Sequence, residues 1–188
     1  ALVLSPPDSI AWLLNVRGRD VPYVPVVQSF AVLHKNGTLD WFVAPEKITD
    51  RLRGALSSLV EIKSPAALGD VLDDLGRNKA RVQLDMALSP AWIYERLSKS
   101  GAKIHPKEDP CLLPKACKNT VEREGAVLSH VRDGAAVCRF LAWFDREAPK
   151  GGLNELDAAR KMAEFRSDNP LYRGESFATI AAAGKNAA

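Results

Sequence analysis

The chain has 188 residues, 46% hydrophobic and 26% charged, which fits one large or two small globular domains. Its 26 basic and 23 acidic residues are interleaved and leave a formal charge of +3, so no basic stripe argues for nucleic acid, and no apolar run reaches the length of a membrane span. Three cysteines, Cys111, Cys117 and Cys138, lack C-x-x-C spacing; they argue against a disulfide framework or zinc site and fit reduced, mostly buried thiols of a cytoplasmic protein.

Residues 1–5 read as the end of a strand, broken by Pro6-Pro7, after which Asp8 and Ser9 are placed to cap a short helix over Ile10–Leu14. Asn15 to Pro25 reads as a loop, because Gly18 permits a tight bend and Pro22 and Pro25 forbid a helix. The loop carries Arg17, Arg19 and Asp20, either as the rim of a binding cleft or as a solvated turn with a local ion pair. Val26–His34 and Leu39–Val43 form a hairpin around Asn36-Gly37. His34 has no visible partner and reads as a surface imidazole rather than a metal ligand. Pro45–Ser57 reads as one amphipathic helix with Ile48, Leu52, Ala55, Leu56 and Leu59 on one side.

A strand at Val60–Ile62 is followed by a helix opened by Ser64-Pro65 and ended at Gly76. Arg81–Asp85 is the next strand. Ser89-Pro90 starts a helix through Trp92, Ile93 and Leu97, stopped at Gly101, and Ala102–His105 is strand-like. Strands alternating with short capped helices predict an α/β layer domain ending near Asp109-Pro110, with Cys111–Lys118 as a link.

Lys118–Glu147 is proline-free, with Asn119 and Glu122 placed for a box-like cap and Pro149 and Gly151-Gly152 at its end. Val121, Leu128, Val131, Ala135, Cys138 and Leu141 recur at helical spacing, flanked by Val127, Ala136, Phe140 and Phe144. A helix with so wide an apolar face needs a larger partner than the residues after it supply, so the chain is expected to stop before that partner is complete. Asn154 and Asp157 cap another helix, with Leu156, Ala159, Met162, Ala163 and Phe165 facing inward and Asn169-Pro170 at its end. Ser176–Ile180 is a strand candidate, and Ala181–Ala188 shows no closing element.

No G-x-S-x-G elbow, phosphate-binding glycine loop or H-E-x-x-H motif is present. His130 and Asp133 are three apart on the long helix and could touch, but two ligands do not hold a metal. Asp73-Asp74 are sequence neighbours and point apart. The residues alone therefore define an α/β domain joined to the opening of a second domain, without an active site.

Several blocks carry a resemblance in consistent order: Asp8-Ser-Ile-Ala-Trp-Leu-Leu-Asn-Val-Arg-Gly-Arg-Asp20 with Pro25-Val-Val, KNTVEREG from Lys118, HVRDGAAVCRFLAWF, Gly151-Gly-Leu-Asn-Glu-Leu-Asp-Ala-Ala, Glu164-Phe-Arg, Ser176-Phe-Ala-Thr-Ile and Gly184-Lys-Asn-Ala. Together they resemble the Xaa-Pro aminopeptidases (aminopeptidase P) of the long three-domain subgroup. The resemblance implies a creatinase-like middle domain at residues 1–114, a mixed sheet with helices, followed at 115–188 by the truncated N-terminal part of a "pita-bread" catalytic domain. The long helix would be the first of that domain, packed on a curved sheet lying mostly beyond Ala188. The resemblance implies two divalent cations in the intact protein, manganese being expected, held by two Asp, one His and two Glu. None of those motifs has a counterpart here, so no catalytic, cofactor-binding or metal residue is transferred and no metal is expected in this chain. Arg17, Arg19 and Asp20 match a family loop and are the candidate cleft-lining residues. The implied substrate is a peptide with proline at the second position. A homodimer is left open, nucleic acid and membrane partners are not expected, and the location is cytoplasmic. The alternative is a non-catalytic protein-binding module on the same fold; proline dipeptidases and creatinases usually lack the middle domain.

Overall fold

Side-chain alternation along short strands lays out the N-terminal half. In the structure, a computed structural model that describes residues 1–187, this half is one unit, Ala1–Cys117, and a second unit runs from Lys118 to Ala188. The first unit has strands β1 (Leu2–Leu4), β2 (Phe30–Leu33), β3 (Leu39–Phe42), β4 (Val60–Lys63), β5 (Arg81–Leu84) and β6 (Lys103–Pro106), in the spatial order β4-β3-β2-β1-β5-β6. The β1/β2 and β2/β3 pairs are antiparallel; β3/β4, β1/β5 and β5/β6 are parallel.

Its helices are α1 (Pro7–Leu13), α2 (Asp50–Ala55), α3 (Leu68–Arg77), α4 (Ala91–Ser100) and α5 (Leu112–Ala116). Successive residues of a strand point to opposite faces, so Val3, Val32, Phe42, Val82 and Leu84 pack with Leu68 and Leu72 of α3 and Ile93 and Leu97 of α4. Leu4, Ala31, Leu39 and Trp41 point the other way, onto Ile10 of α1 and Cys111, with Leu52 of α2 at the margin. The sheet is thus buried on both faces, the mixed α/β arrangement expected for a creatinase-like domain.

Several local expectations need correction. The first helix starts at Pro7, whose missing N–H costs nothing at the first helical position, and neither Asp8 nor Ser9 caps it. Asp8 instead pairs with Lys115. The single helix expected over Pro45–Ser57 is a 3₁₀ turn, Pro45–Lys47, followed by α2, because Thr49 accepts from the Leu52 N–H and restarts the helix. Ile48, Leu52 and Leu56 still reach the core, but Ala55 and Leu59 are exposed. Gly76 does not end α3: the helix runs on to Arg77, and Lys79 takes the left-handed conformation at φ 51°. Ser89 makes no cap for α4, whereas Gly101 ends that helix at φ 98° as expected. Cys111–Lys118 is more than a link, since it contains α5 and places Cys111 in the core at 5% exposure.

In the second unit α6 (Thr120–Glu147) and α7 (Glu155–Ser167) each open on the expected capping box, Asn119 with Glu122 and Asn154 with Asp157. Two ion pairs join them, Arg166 with Asp133 at 2.7 Å and Arg139 with Asp168 at 2.7 Å. Among the described residues only Ala136 of α6 is buried; Val121, Val127, Leu128, Val131 and Leu141 are exposed, and so is Leu156 of α7. Ser176–Ile180 forms no strand, and Phe177 and Ile180 are exposed. A 3₁₀ turn at Gly184–Asn186 follows, held where Glu155 accepts from the Ala183 N–H and the Asn186 amide. The last residue of the expected unclosed tail, Ala188, lies outside the described residues.

The cysteines also depart from the expectation of mostly buried thiols, because Cys117 and Cys138 are exposed. Burial, reinforced by the neighbouring Asp109 carboxylate, pushes the Cys111 thiol up to about 11. A disulfide-exchange thiol reagent at pH 8 should therefore titrate Cys117 and Cys138 rapidly and Cys111 only after unfolding. Three equally fast thiols would contradict this packing.

Candidate functional site

The connection from α1 to β2 is built as a braced arch. Asn15 turns the chain at φ 51°, a conformation asparagine tolerates, and the Val16 N–H donates back to Ala11 O at 3.0 Å. The Arg17 guanidinium donates to Ala11 O at 3.1 Å and Val16 O at 2.9 Å, tying the start of the loop to the last turn of α1. The chain then doubles back: Gly18 N–H donates to Pro25 O at 3.4 Å, and Asp20 N–H to Val26 O at 3.3 Å. Only glycine fits at position 18, since a Cβ there would lie 2.7 Å from Val26 O and 2.9 Å from Val27 Cα.

Asp20 locks the arch from the side. Its Oδ2 accepts from the Gln28 N–H at 2.7 Å and from Lys47 Nζ at 2.5 Å. These contacts, Lys47 first, hold its carboxyl below the usual value of 3.8. Arg17, Arg19 and Asp20 therefore make no ion pair with one another. Arg17 binds backbone, Asp20 pairs with a residue 27 positions away, and exposed Arg19 has no side-chain partner among the described residues. Lys47 was not legible from the sequence, because nothing local to either residue announces a contact at that separation. A lowered carboxyl stabilises the fold above its unfolded value, and that contribution is lost as pH falls through the lowered value. Lys47→Met should therefore lower the denaturation midpoint at pH 7 and leave it unchanged well below pH 3.8; an equal loss at both pH values would point to packing instead.

His34 is also not the lone surface imidazole expected. Its Nε2 lies 3.0 Å from Asp40 Oδ2, and Lys63 Nζ lies 3.1 Å from the same oxygen, with Asp40 buried at 5% exposure. Lys63 brings the counter-charge to this buried carboxylate, and His34 adds a hydrogen-bond partner across the hairpin.

The second unit has an open cleft of about 670 Å³, lined in part by His130, Asp133, Arg166, Tyr172, Glu175 and Phe177. His130 and Asp133 do not meet. His130 Nδ1 lies 2.8 Å from Ala126 O, while Asp133 accepts two bonds from Arg166, whose own proton is held more tightly as a result. Burial, then the Glu175 charge, pushes the Tyr172 hydroxyl upward. Glu175 Oε2 accepts from Thr179 Oγ1 at 3.0 Å and its Oε1 has no hydrogen-bond partner among the described residues.

Among the described residues no group of three or more His, Cys, Asp or Glu converges, so these side chains do not fit a metal pair. Among the described residues no helix is long and apolar enough to cross a membrane. Among the described residues no nucleophile and base are brought together on the arch.

A mixed six-stranded sheet covered on both faces, with a braced arch leaving its first helix, defines a creatinase-type N-terminal domain. The family model of the Creatinase/Prolidase N-terminal domain matches residues 1–122, and the chain belongs to that family. Its similarity extends along the whole chain to Xaa-Pro aminopeptidases P. It is 36% identical to the "Probable Xaa-Pro aminopeptidase P" of Aspergillus niger, over 100% of this chain and 32% of that protein. It is 34% identical to that of Penicillium rubens, over 99% of this chain and 31% of that protein. The X-prolyl aminopeptidase of Caenorhabditis elegans, described as a cytosolic enzyme with a di-nuclear active site, superposes with a TM-score of 0.85 at 27% identity, over 96% of this chain and 30% of that one. The Xaa-Pro dipeptidase from Bacillus anthracis, 12% identical with a TM-score of 0.64, shares the fold. The chain thus spans about a third of the length of the curated relatives it matches.

Proposed function

We propose that this chain is part of a metal-dependent Xaa-Pro aminopeptidase, which hydrolyses the N-terminal peptide bond preceding proline. The observation that carries the reading is similarity to such proteins along the whole chain, in both of its units. In this reading residues 1–114 are the creatinase-like middle domain and residues 115–188 open the pita-bread catalytic domain. The intact protein cleaves with a water held between two divalent cations, manganese by expectation, and works in the cytoplasm, with a homodimer as the assembly to examine. No residue of this chain is assigned to the metals. Its contribution is scaffold, together with a cleft-lining arch at Arg17, Arg19 and Asp20. Exposed apolar residues of α6 support a larger catalytic domain, because such a stripe is stable in water only when covered.

The test compares the 188-residue chain with the longer protein that contains it, each supplied with Mn²⁺ and a peptide carrying proline second. The longer protein should release the N-terminal residue, while the 188-residue chain should neither bind Mn²⁺ tightly nor turn over. Turnover by the short chain would overturn the ligand assignment, and none by the longer protein would favour a binding module on this fold.

A further inference from the structure

The tip of the arch contains a conformation that its own packing does not repay. Residues Val21–Val24 form a turn closed by the Val24 N–H donating to Val21 O at 3.2 Å, with Pro22 second and Tyr23 third. Tyr23 sits at φ 66°, in the left-handed region. A turn with proline second and a left-handed third residue favours glycine or asparagine there, because a Cβ crowds the following carbonyl. Asn15 satisfies that preference in the same connection; Tyr23 does not.

Burial is no compensation, since Tyr23 is 51% exposed and makes no ring contact or hydrogen bond among the described residues. Val24 beside it is 44% exposed, and Arg19 in the same arch is exposed without a side-chain partner. The supporting backbone, by contrast, is fixed by Gly18, by Arg17 on α1 and by Asp20 on Gln28 and Lys47. A rigid mount that holds an aromatic ring, an apolar side chain and an open guanidinium outward at a conformational cost is built for a contact outside the described chain.

We propose that Tyr23, with Arg19, is a specificity-determining contact for the peptide substrate. A peptide offers both partners at once: an apolar side chain for the ring and a carbonyl or carboxylate for the guanidinium. This rests on the aminopeptidase reading above. The experiment uses the longer metal-loaded protein, a tetrapeptide with proline second, and the variants Tyr23→Ala and Tyr23→Gly. Both variants lose the ring, but only glycine relaxes the turn. Both should raise KM about fivefold, the scale of one aromatic contact, with kcat unchanged, while the thermal midpoint of the glycine variant exceeds that of the alanine variant. KM values equal to wild type in both, or KM restored by glycine together with the midpoint, overturn the inference in favour of a structural role. Unchanged KM with an altered oligomeric mass overturns it in favour of a subunit contact. An inactive wild-type protein fails at the earlier step, sinking the aminopeptidase reading and this inference with it.

Discussion

Replacing Gly76 by alanine should cost the first unit about 3 kcal/mol, read as a lower urea midpoint at unchanged slope. The sign runs against propensity, since alanine in a helix is ordinarily about 1 kcal/mol better than glycine. Here α4 lies too close for the usual rule. A Cβ on Gly76 would stand 2.0 Å from Ser100 Oγ, 2.3 Å from Ser100 Cβ and 2.6 Å from the Ser100 backbone carbon. Ser100 Oγ is itself tied down, donating to Arg96 O at 2.8 Å. Removing the serine side chain gives no full rescue, because the backbone carbon remains. α3 and α4 must then separate, opening the layer where Leu72 and Leu97 are both fully buried. Gly54→Ala is the matched control: Gly54 also lies in a helix, but nothing approaches within 4 Å of its would-be Cβ. It should be neutral or slightly stabilising. A wild-type midpoint for Gly76→Ala would show that the two helices pack farther apart than described.

Gly76 also marks the limit of what the sequence discloses. Glycine after an apolar helical pattern reads as a C-terminal stop, and at Gly101 that reading holds because the signal is local, a left-handed residue ending its own helix. At Gly76 the reason is the backbone of another helix, which no neighbouring residue encodes. The same division runs through the chain. The Asn36-Gly37 hairpin and the capping boxes at Asn119 and Asn154 form as expected, since each is closed within a few residues. Thr49 lies inside an unbroken amphipathic pattern that hides its cap, although its hydroxyl restarts the helix. His34 has no partner within its own stretch of sequence, and strand pairing brings Asp40 back to it across the hairpin. For the candidate site, the sequence pointed to the Arg17–Asp20 loop and to the bend at Gly18. It did not disclose Lys47, the backbone contacts of Arg17 or the strained Tyr23, which depend on where the chain doubles back. Ser176–Ile180 has strand composition but no neighbour to pair with among the described residues, and composition alone makes no ladder.

The second large effect is expected at Trp41, and it connects the core to the arch. Trp41→Ala should cost about 3–5 kcal/mol, the range for emptying a fully buried aromatic site. Trp41 is 1% exposed, packed with Leu4, Ile10 and Val27, and its indole N–H donates to Ser29 Oγ at 3.0 Å. Ser29 in turn leans on Val27 O, and the intervening Gln28 N–H donates to Asp20. The segment Val26–Ser29 therefore lies between the indole on one side and the arch on the other. Trp41→Phe keeps most of the packing but strips Ser29 of its donor, and should cost about 1–2 kcal/mol. If the segment transmits load between core and arch, Trp41→Phe and Asp20→Asn share a backbone element and their costs should fail to add, by at least about 0.5 kcal/mol in a double-mutant cycle. Strict additivity would mean that the arch is held by Gly18, Arg17 and Lys47 alone, with the tryptophan serving only the sheet. Coupling would mean that the exposed ring of Tyr23 is aimed, through four consecutive residues, by the largest side chain in the core.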